Sequence, residues 1–352
     1  MNRRPDMDAH FAEKRRQYVR KKKSKTKGIL LALMCIAIAV VWTFIGVAIY
    51  QLSKFNDPVV DTATGTEDVS PVSTTEAPIE TTTAPNNQTL VTVERAQVTR
   101  GSLILVSELV DRAFDFEQEE ELVTLYGNKS KSYKISSTAI KLNRETFDAV
   151  EAMFNAYKAE TGNGDYQITQ AHRTLEEQTS IYDSYKETYG EEQGTMLAAR
   201  PGYSEHHSGY AFDMNVYAGG QGYSLGTAHE VNPIYGWIYD HADEYGFVVR
   251  YPEGKTAVTG ITNEPWHFRY VGKGHASYMK EHDLVLEEYV ALLYKYPHDG
   301  EHLEFEYDGV KYEVSFVMFG KDVDSIDIYV NADKTYIFSG ENSDGVIITQ
   351  IS

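Results

Sequence analysis

Two short stretches of this chain gather the residue types that metal-assisted hydrolysis needs. One is Ser204-Glu205-His206-His207-Ser208-Gly209-Tyr210-Ala211-Phe212-Asp213; the other is Glu264-Pro265-Trp266-His267-Phe268-Arg269-Tyr270. Between them they offer two imidazoles and a carboxylate for a metal ion. A further carboxylate, Glu264, stands just ahead of the last imidazole. Three protein donors with a fourth position left open are the mark of catalytic zinc, whereas structural zinc takes four. Imidazole and carboxylate donors suit zinc, although cobalt or manganese would fit the same set.

Local patterning shows how these residues are to be held. A strand over Gly209–Met214 puts Gly209, Ala211 and Asp213 on one face and Tyr210, Phe212 and Met214 on the other. The small residues leave room beside the acid, and the aromatic face can pack into a core. A second strand, Trp266–Val271, places His267 and Arg269 on one face; Phe247–Tyr251 also reads as a strand. Asn143 caps a helix with Phe147, Val150, Phe154 and Tyr157 on its apolar face, ending at Thr161-Gly162-Asn163-Gly164. Thr174-Leu175-Glu176-Glu177 is a capping box for a second helix, with Leu175, Ile181, Tyr182 and Tyr185 as its apolar residues. A third runs from Asn232 and Pro233 to Gly246 and is expected to bury Ile234, Trp237, Ile238, His241 and Tyr245. Upstream, Ser102–Val106 reads as a strand. From Glu301 onward, Leu303, Phe305 and Tyr307 alternate with polar residues up to Asp308-Gly309, and Tyr312, Val314 and Phe316 resume the alternation, a hairpin signature.

Charge and hydropathy divide the rest. Residues 1–27 carry 11 Lys and Arg against 3 Asp and Glu, a net of +8, so the remainder holds −27 against −19 for the whole. Gly28–Tyr50 is an apolar run of 23 residues, enough to cross a bilayer core of roughly 30 Å as a helix. Its basic flank predicts residues 1–27 inside and the acidic body outside. The run exceeds the apolar core of a signal peptide, and no cleavage site follows, so an uncleaved anchor is expected. The basic run serves as a topology signal and not as a nucleic-acid arm. The single cysteine, Cys35, lies in that run, so the exported part holds itself together without disulfides. Asn56 to Thr89 is rich in Thr, Ser, Pro and Glu and lacks aromatics, a linker composition that cannot bury enough apolar surface to fold. The expected order is a basic tail at 1–27, a transmembrane helix at 28–50, a linker at 51–89, a metal-site domain at 90–300 and a small all-β module at 301–352. The fold class is α+β, with helices packed on an antiparallel sheet that carries the metal site.

Residues 204–213 fit the pattern S-x-H-x-x-G-x-A-x-D and residues 264–267 fit E-x-W-H. With Arg173-Thr174 and Gln178 ahead of them, these motifs resemble the VanY-type D-alanyl-D-alanine carboxypeptidases and their relatives over roughly residues 100–295. The resemblance implies Zn2+ held by His206, Asp213 and His267, with Glu264 as the catalytic base. It implies that Arg173 lies over the substrate, stabilising an oxyanion or holding a carboxylate, and that Gln178 and Ser204 contact substrate. His172 and Ser208 depart from the family's commoner residues without removing a catalytic group. The other histidines have plainer readings. His229, His241, His275 and His282 are expected to be structural or exposed, His241 as a core residue with a bonded ring nitrogen. His207 is a neighbour of the ligand, and Trp266 a packing residue.

The expected function is a membrane-anchored extracellular zinc carboxypeptidase that removes the C-terminal D-alanine from peptidoglycan stem peptides. Alternatives are an L,D-carboxypeptidase acting on tetrapeptide stems, or a non-catalytic wall-binding or sensor protein on a degenerate peptidase fold. The intact Glu264 speaks against the last, since a binder could keep the ligands and lose the base. A tethered head suits wall-attached substrate better than free dipeptide.

Overall fold

A computed structural model of the chain describes residues 87–352, except 111, 117–120 and 195–196 and the side chains of 192 and 193. The expected basic tail, transmembrane helix and most of the linker lie outside the described residues. Among those described, no helix is long and apolar enough to cross a membrane.

The element that positions the site is a sheet of order β3-β5-β6-β9-β8, with β7 paired to the end of β6. Its strands are β3 (Lys134–Ile135), β5 (Tyr166–Gln170), β6 (Ala211–Ala218), β7 (Gln221–Tyr223), β8 (Phe247–Tyr251) and β9 (Glu264–Tyr270). All pairings are antiparallel except the short edge pair β3–β5. Alternation along β6 sends Phe212, Met214 and Val216 into the main core and leaves Ala211 and Asp213 on the opposite face. Against the core face packs α1 (Arg144–Thr161), through Phe147, Val150, Met153, Phe154 and Tyr157. Its cap is the expected one: the Asn143 side chain accepts from the Glu145 N–H at 2.9 Å, and Gly162 ends the helix at φ 70°.

Three expectations need correction. Ser102–Val106, buried from Leu103 on, forms a turn and irregular chain, because the carbonyls of Ser102 and Ile104 are taken by a side chain, Arg269, at 2.8 Å each. Asn232 to Gly246 is three one-turn pieces: Pro233–Gly236, Trp237–His241 and Ala242–Tyr245. Gly236 falls inside the period and weakens a continuous helix. The helix after Thr174, α2 (Leu175–Tyr189), has its capping box, yet Gln178 is its buried residue while Leu175, Tyr185 and Tyr189 are exposed.

The C-terminal strands β10 (Leu303–Tyr307), β11 (Val310–Met318), β13 (Thr335–Gly340) and β14 (Gly345–Ile351) form a sheet of order β10-β11-β14-β13. Asp308 (φ 52°) and Gly309 (φ 74°) make the two-residue hairpin turn, both in the left-handed region that such a turn requires. The remaining strand, β12 (Ser325–Asn331), pairs antiparallel with β1 (Gln88–Glu94), joining the two ends of the described chain. Two short strands, β2 (Leu122–Thr124) and β4 (Lys141–Asn143), pair beside α1. Between the two sheets lie α3 (Lys273–Glu281) and α4 (Leu286–Leu293). Leu286, Tyr289 and Leu293 of α4 share one core with Leu303, Val314, Phe316 and Ile347 of the β strands and with Leu103 and Leu105.

Candidate metal centre

A single-turn helix, Glu205–Ser208, leads into β6 and presents His206; β6 and β9 pair so that Asp213 stands directly opposite His267. The turn ends at Gly209, whose φ of 71° and close approach to Asn143 exclude a side chain: an added Cβ would lie 2.8 Å from the Asn143 nitrogen. Gly209 therefore caps the turn and does not share the strand face with Ala211 and Asp213, as the alternation alone had implied.

His206, Asp213 and His267 each offer a donor atom, all within 4.8 Å of one another. His206 donates through Nδ1 to the Ala171 carbonyl at 2.7 Å, which turns its Nε2 toward Asp213 Oδ2 at 3.4 Å. His267 faces the opposite way, with Nδ1 at 3.1 Å from Asp213 Oδ1 and 3.7 Å from Glu264 Oε2. Although close, Asp213 Oδ1 has no partner of hydrogen-bond geometry. Three fixed donors around a buried carboxylate oxygen left unsatisfied are what a metal ion would complete. The electrostatics agree. Burial disfavours charge on His267, but the carboxylates of Asp213, Glu205 and Glu264 push its pKa up to about 9. They call for a positive charge there, which a bound cation supplies as well as a ring proton does. His206, in contrast, is held down to about 4 by burial and the nearby Arg173.

Glu264 opens β9, and burial pushes its carboxyl up to about 7. Arg173 closes the other side. It donates from Nη1 to Gln178 Oε1 at 2.6 Å and from Nη2 to Gln170 Oε1 at 3.0 Å, and lies 3.9 Å from Asp213; its Nε has no partner. Gln178, expected to contact substrate, is buried with both ends of its amide engaged: Oε1 accepts from Arg173, and Nε2 donates to the Ala199 carbonyl at 2.6 Å. It holds Arg173. Ser204 is buried at the head of the His206 turn. His207 is no ligand: its Nδ1 bonds the Arg173 carbonyl at 2.7 Å, and its Nε2 accepts from the Gly202 N–H at 3.2 Å. His241 is partly exposed against Trp237 and not a core residue, its ring bonded to Glu244. Trp266, expected to pack, is 37% exposed.

Several residues here were not singled out from sequence. Glu205, fully enclosed, lies 3.5 Å from His267 Nε2 and accepts from Arg250 Nε at 2.7 Å and Arg269 Nη1 at 2.8 Å. The two arginines hold its carboxyl far below the usual range even though burial opposes this. Tyr251 packs its ring 4.9 Å from that of His267. A charged residue inside the first motif was the one available signal for Glu205.

Two imidazoles, one carboxylate and a separate carboxyl of near-neutral pKa define a mononuclear metal hydrolase site. A family model for the D-alanyl-D-alanine carboxypeptidases of VanY type matches residues 139–273. A D-alanyl-D-alanine carboxypeptidase of Enterococcus faecium is 33% identical over 267 residues, 73% of this chain and 78% of that one. The vancomycin-resistance D,D-dipeptidase VanXYg, solved with a D-Ala-D-Ala phosphinate analogue, matches with a TM-score of 0.64 at 27% identity, over 75% of this chain and 99% of that one. A vancomycin-resistance D,D-pentapeptidase VanY from a VanB-type cassette, solved with Zn(II), has a TM-score of 0.44 at 29% identity, over 54% and 98%. The chain belongs to the VanY family of D-alanyl-D-alanine carboxypeptidases.

Proposed function

We propose that this protein is a zinc D,D-carboxypeptidase that removes the C-terminal D-alanine from peptidoglycan stem peptides. The observation that carries the reading is Glu264: a carboxyl 3.7 Å from a donor atom of the metal triad, with a pKa raised to about 7 by burial. A degenerate binder has no need of it. His206 Nε2, Asp213 and His267 Nδ1 are the donors that would hold the ion. Bound zinc supplies Lewis acidity, polarising the scissile carbonyl and easing loss of a proton from water. Glu264 takes the proton as the water oxygen bonds to that carbonyl carbon, then delivers it to the departing D-alanine nitrogen as the C–N bond breaks. Arg173, cationic and with Nε uncommitted, faces the negative charge that develops on the carbonyl oxygen or the substrate's terminal carboxylate. Asp213, held ionised by its histidines despite burial, does not compete as the proton acceptor.

The test is the purified, zinc-loaded full-length chain incubated with stem pentapeptide, stem tetrapeptide and free D-alanyl-D-alanine, each followed by mass spectrometry. The pentapeptide should lose one alanine. Cleavage of the tetrapeptide alone makes the enzyme L,D-specific, and cleavage of the dipeptide alone makes it a dipeptidase; either result sinks the reading.

The Gly28–Tyr50 run with its basic flank supports a single-pass anchor that holds the catalytic part outside the cell membrane. Protease added to spheroplasts should release the head by cutting within residues 56–89. A mature protein beginning after residue 50 would remove the anchor from this account.

A further inference from the structure

One side of His267 faces the metal donors; the other faces a closed ionic network that the proposed reaction does not use. Its Nε2 points at Glu205 Oε2, 3.5 Å away, and neither atom has another hydrogen-bond partner. Glu205 puts its other oxygen, Oε1, to both Arg250 Nε and Arg269 Nη1. Each arginine is anchored at its far end. Arg250 forks onto Glu287 of α4 at 2.8 and 2.6 Å, and Arg269 Nη2 donates to the Ser102 and Ile104 carbonyls. The β8–β9 register shifts between Val249 and Tyr251, and a bulge there turns Arg250 inward. Two guanidiniums and two carboxylates balance in charge.

As a device for stability alone this is expensive, since well-packed apolar residues commonly do as well as a buried ion pair. What apolar packing cannot do is accept a hydrogen bond from an imidazole. A ligating histidine that gives its second N–H to a carboxylate is fixed in tautomer and ring orientation and becomes a stronger donor. The single-turn helix thus serves both imidazoles: His206 is a metal donor itself, and Glu205 beside it reaches the other.

We propose that Glu205 is a positioning residue, taking the Nε2–H of His267 so that Nδ1 faces the metal, and that Arg250 and Arg269 tie it to α4 and to residues 102–104. The proposal rests on the metal reading above and deepens it: the helix that shares a core with the C-terminal strands becomes a support of the metal site.

Zinc affinity of the full-length chain, measured by chelator competition, and the visible spectrum of its cobalt-substituted form report on the ligands without turnover. Glu205→Gln should bind zinc 10- to 100-fold more weakly, the usual cost of losing such a partner, with an altered cobalt spectrum. Glu287→Gln, remote from the metal, should move affinity in the same direction by a few-fold. Wild-type affinity and spectrum in a folded Glu205→Gln overturn the proposal. If that variant does not fold, the wild type decides: long-range 1H–15N spectra of the zinc-loaded chain should show His267 metallated at Nδ1 and protonated at Nε2. Zinc on Nε2 overturns the proposal and leaves the enzyme reading standing; a wild-type chain that takes up no zinc overturns both.

Discussion

The interior beneath the C-terminal strands and the interior at the metal sheet both bury polar side chains, but only one of them completes the hydrogen bonds. In the first, His275 pairs Nδ1 with the Tyr289 hydroxyl at 2.7 Å and Nε2 with the Thr349 hydroxyl at 3.1 Å. Glu341 accepts from the Asp344 and Gly345 N–H groups and from the Tyr294 hydroxyl. Beyond residue 267, no buried side-chain N or O among the described residues lacks a partner. Around the metal donors, Arg173 Nε, Glu205 Oε2, Asp213 Oδ1 and His267 Nε2 all lack one. Completed burial is architecture; of the incomplete atoms, Glu205 Oε2 and His267 Nε2 face each other, while Asp213 Oδ1 and Arg173 Nε are what remains for an ion and a substrate.

Substitutions at the metal sheet test that contrast, and they should rank by what each removes. Asp213→Ala deletes a donor and leaves His267 without its closest carboxylate, so both bound zinc and turnover should vanish. Glu264→Gln keeps the donors and the fold; zinc content should match wild type while turnover drops about 10²-fold or more. Arg173→Ala should also keep zinc and lower kcat/KM by about 3 kcal/mol of transition-state stabilisation. Metal analysis beside steady-state kinetics reads all three. Wild-type turnover in Glu264→Gln removes the base assignment, and zinc loss in Arg173→Ala makes that arginine a support of the metal and not a partner of the substrate.

Local signals were legible in the sequence and distant ones were not. The Asn143 cap, the Thr174 capping box and the Asp308-Gly309 turn each depend on neighbours within a few residues, and each is present in the structure. The spaced motifs brought His206, Asp213, His267 and Glu264 together, because their spacing encodes one turn and two paired strands. Glu205 with Arg250 and Arg269 spans sequence separations of 45 and 64 residues, which no periodicity announces. The β1–β12 pairing across the whole described chain is invisible for the same reason. Ser102–Val106 misled through composition: its aliphatic residues are buried as a strand's would be, but its carbonyls answer to Arg269 in place of a neighbouring strand. Gln178 was marked by the motif, but its bonds to Arg173 and to the Ala199 carbonyl, 21 residues on, were not legible there.

The smallest expected effect lies in the other interior and shows on stability, not on turnover. Burial holds the His275 pKa down to about 4, against about 6.5 for an unfolded histidine. Between those values the unfolded chain binds a proton that the folded chain does not. The stability this residue permits is therefore fully present above pH 6.5 and is lost as pH falls toward 4. From pH 7 to pH 5 the loss amounts to about 2 kcal/mol. His275→Gln cannot take up that proton, so its urea unfolding free energy should fall by about 2 kcal/mol less than that of wild type over the same interval, whatever its stability at pH 7. The variant should also keep wild-type zinc content and turnover at neutral pH, because its partners belong to α4 and β14 and not to the metal sheet. An equal loss in both proteins would mean that His275 takes up its proton as readily in the folded state as in the unfolded one, and the contrast between a finished interior and a waiting one would then need redrawing at that residue.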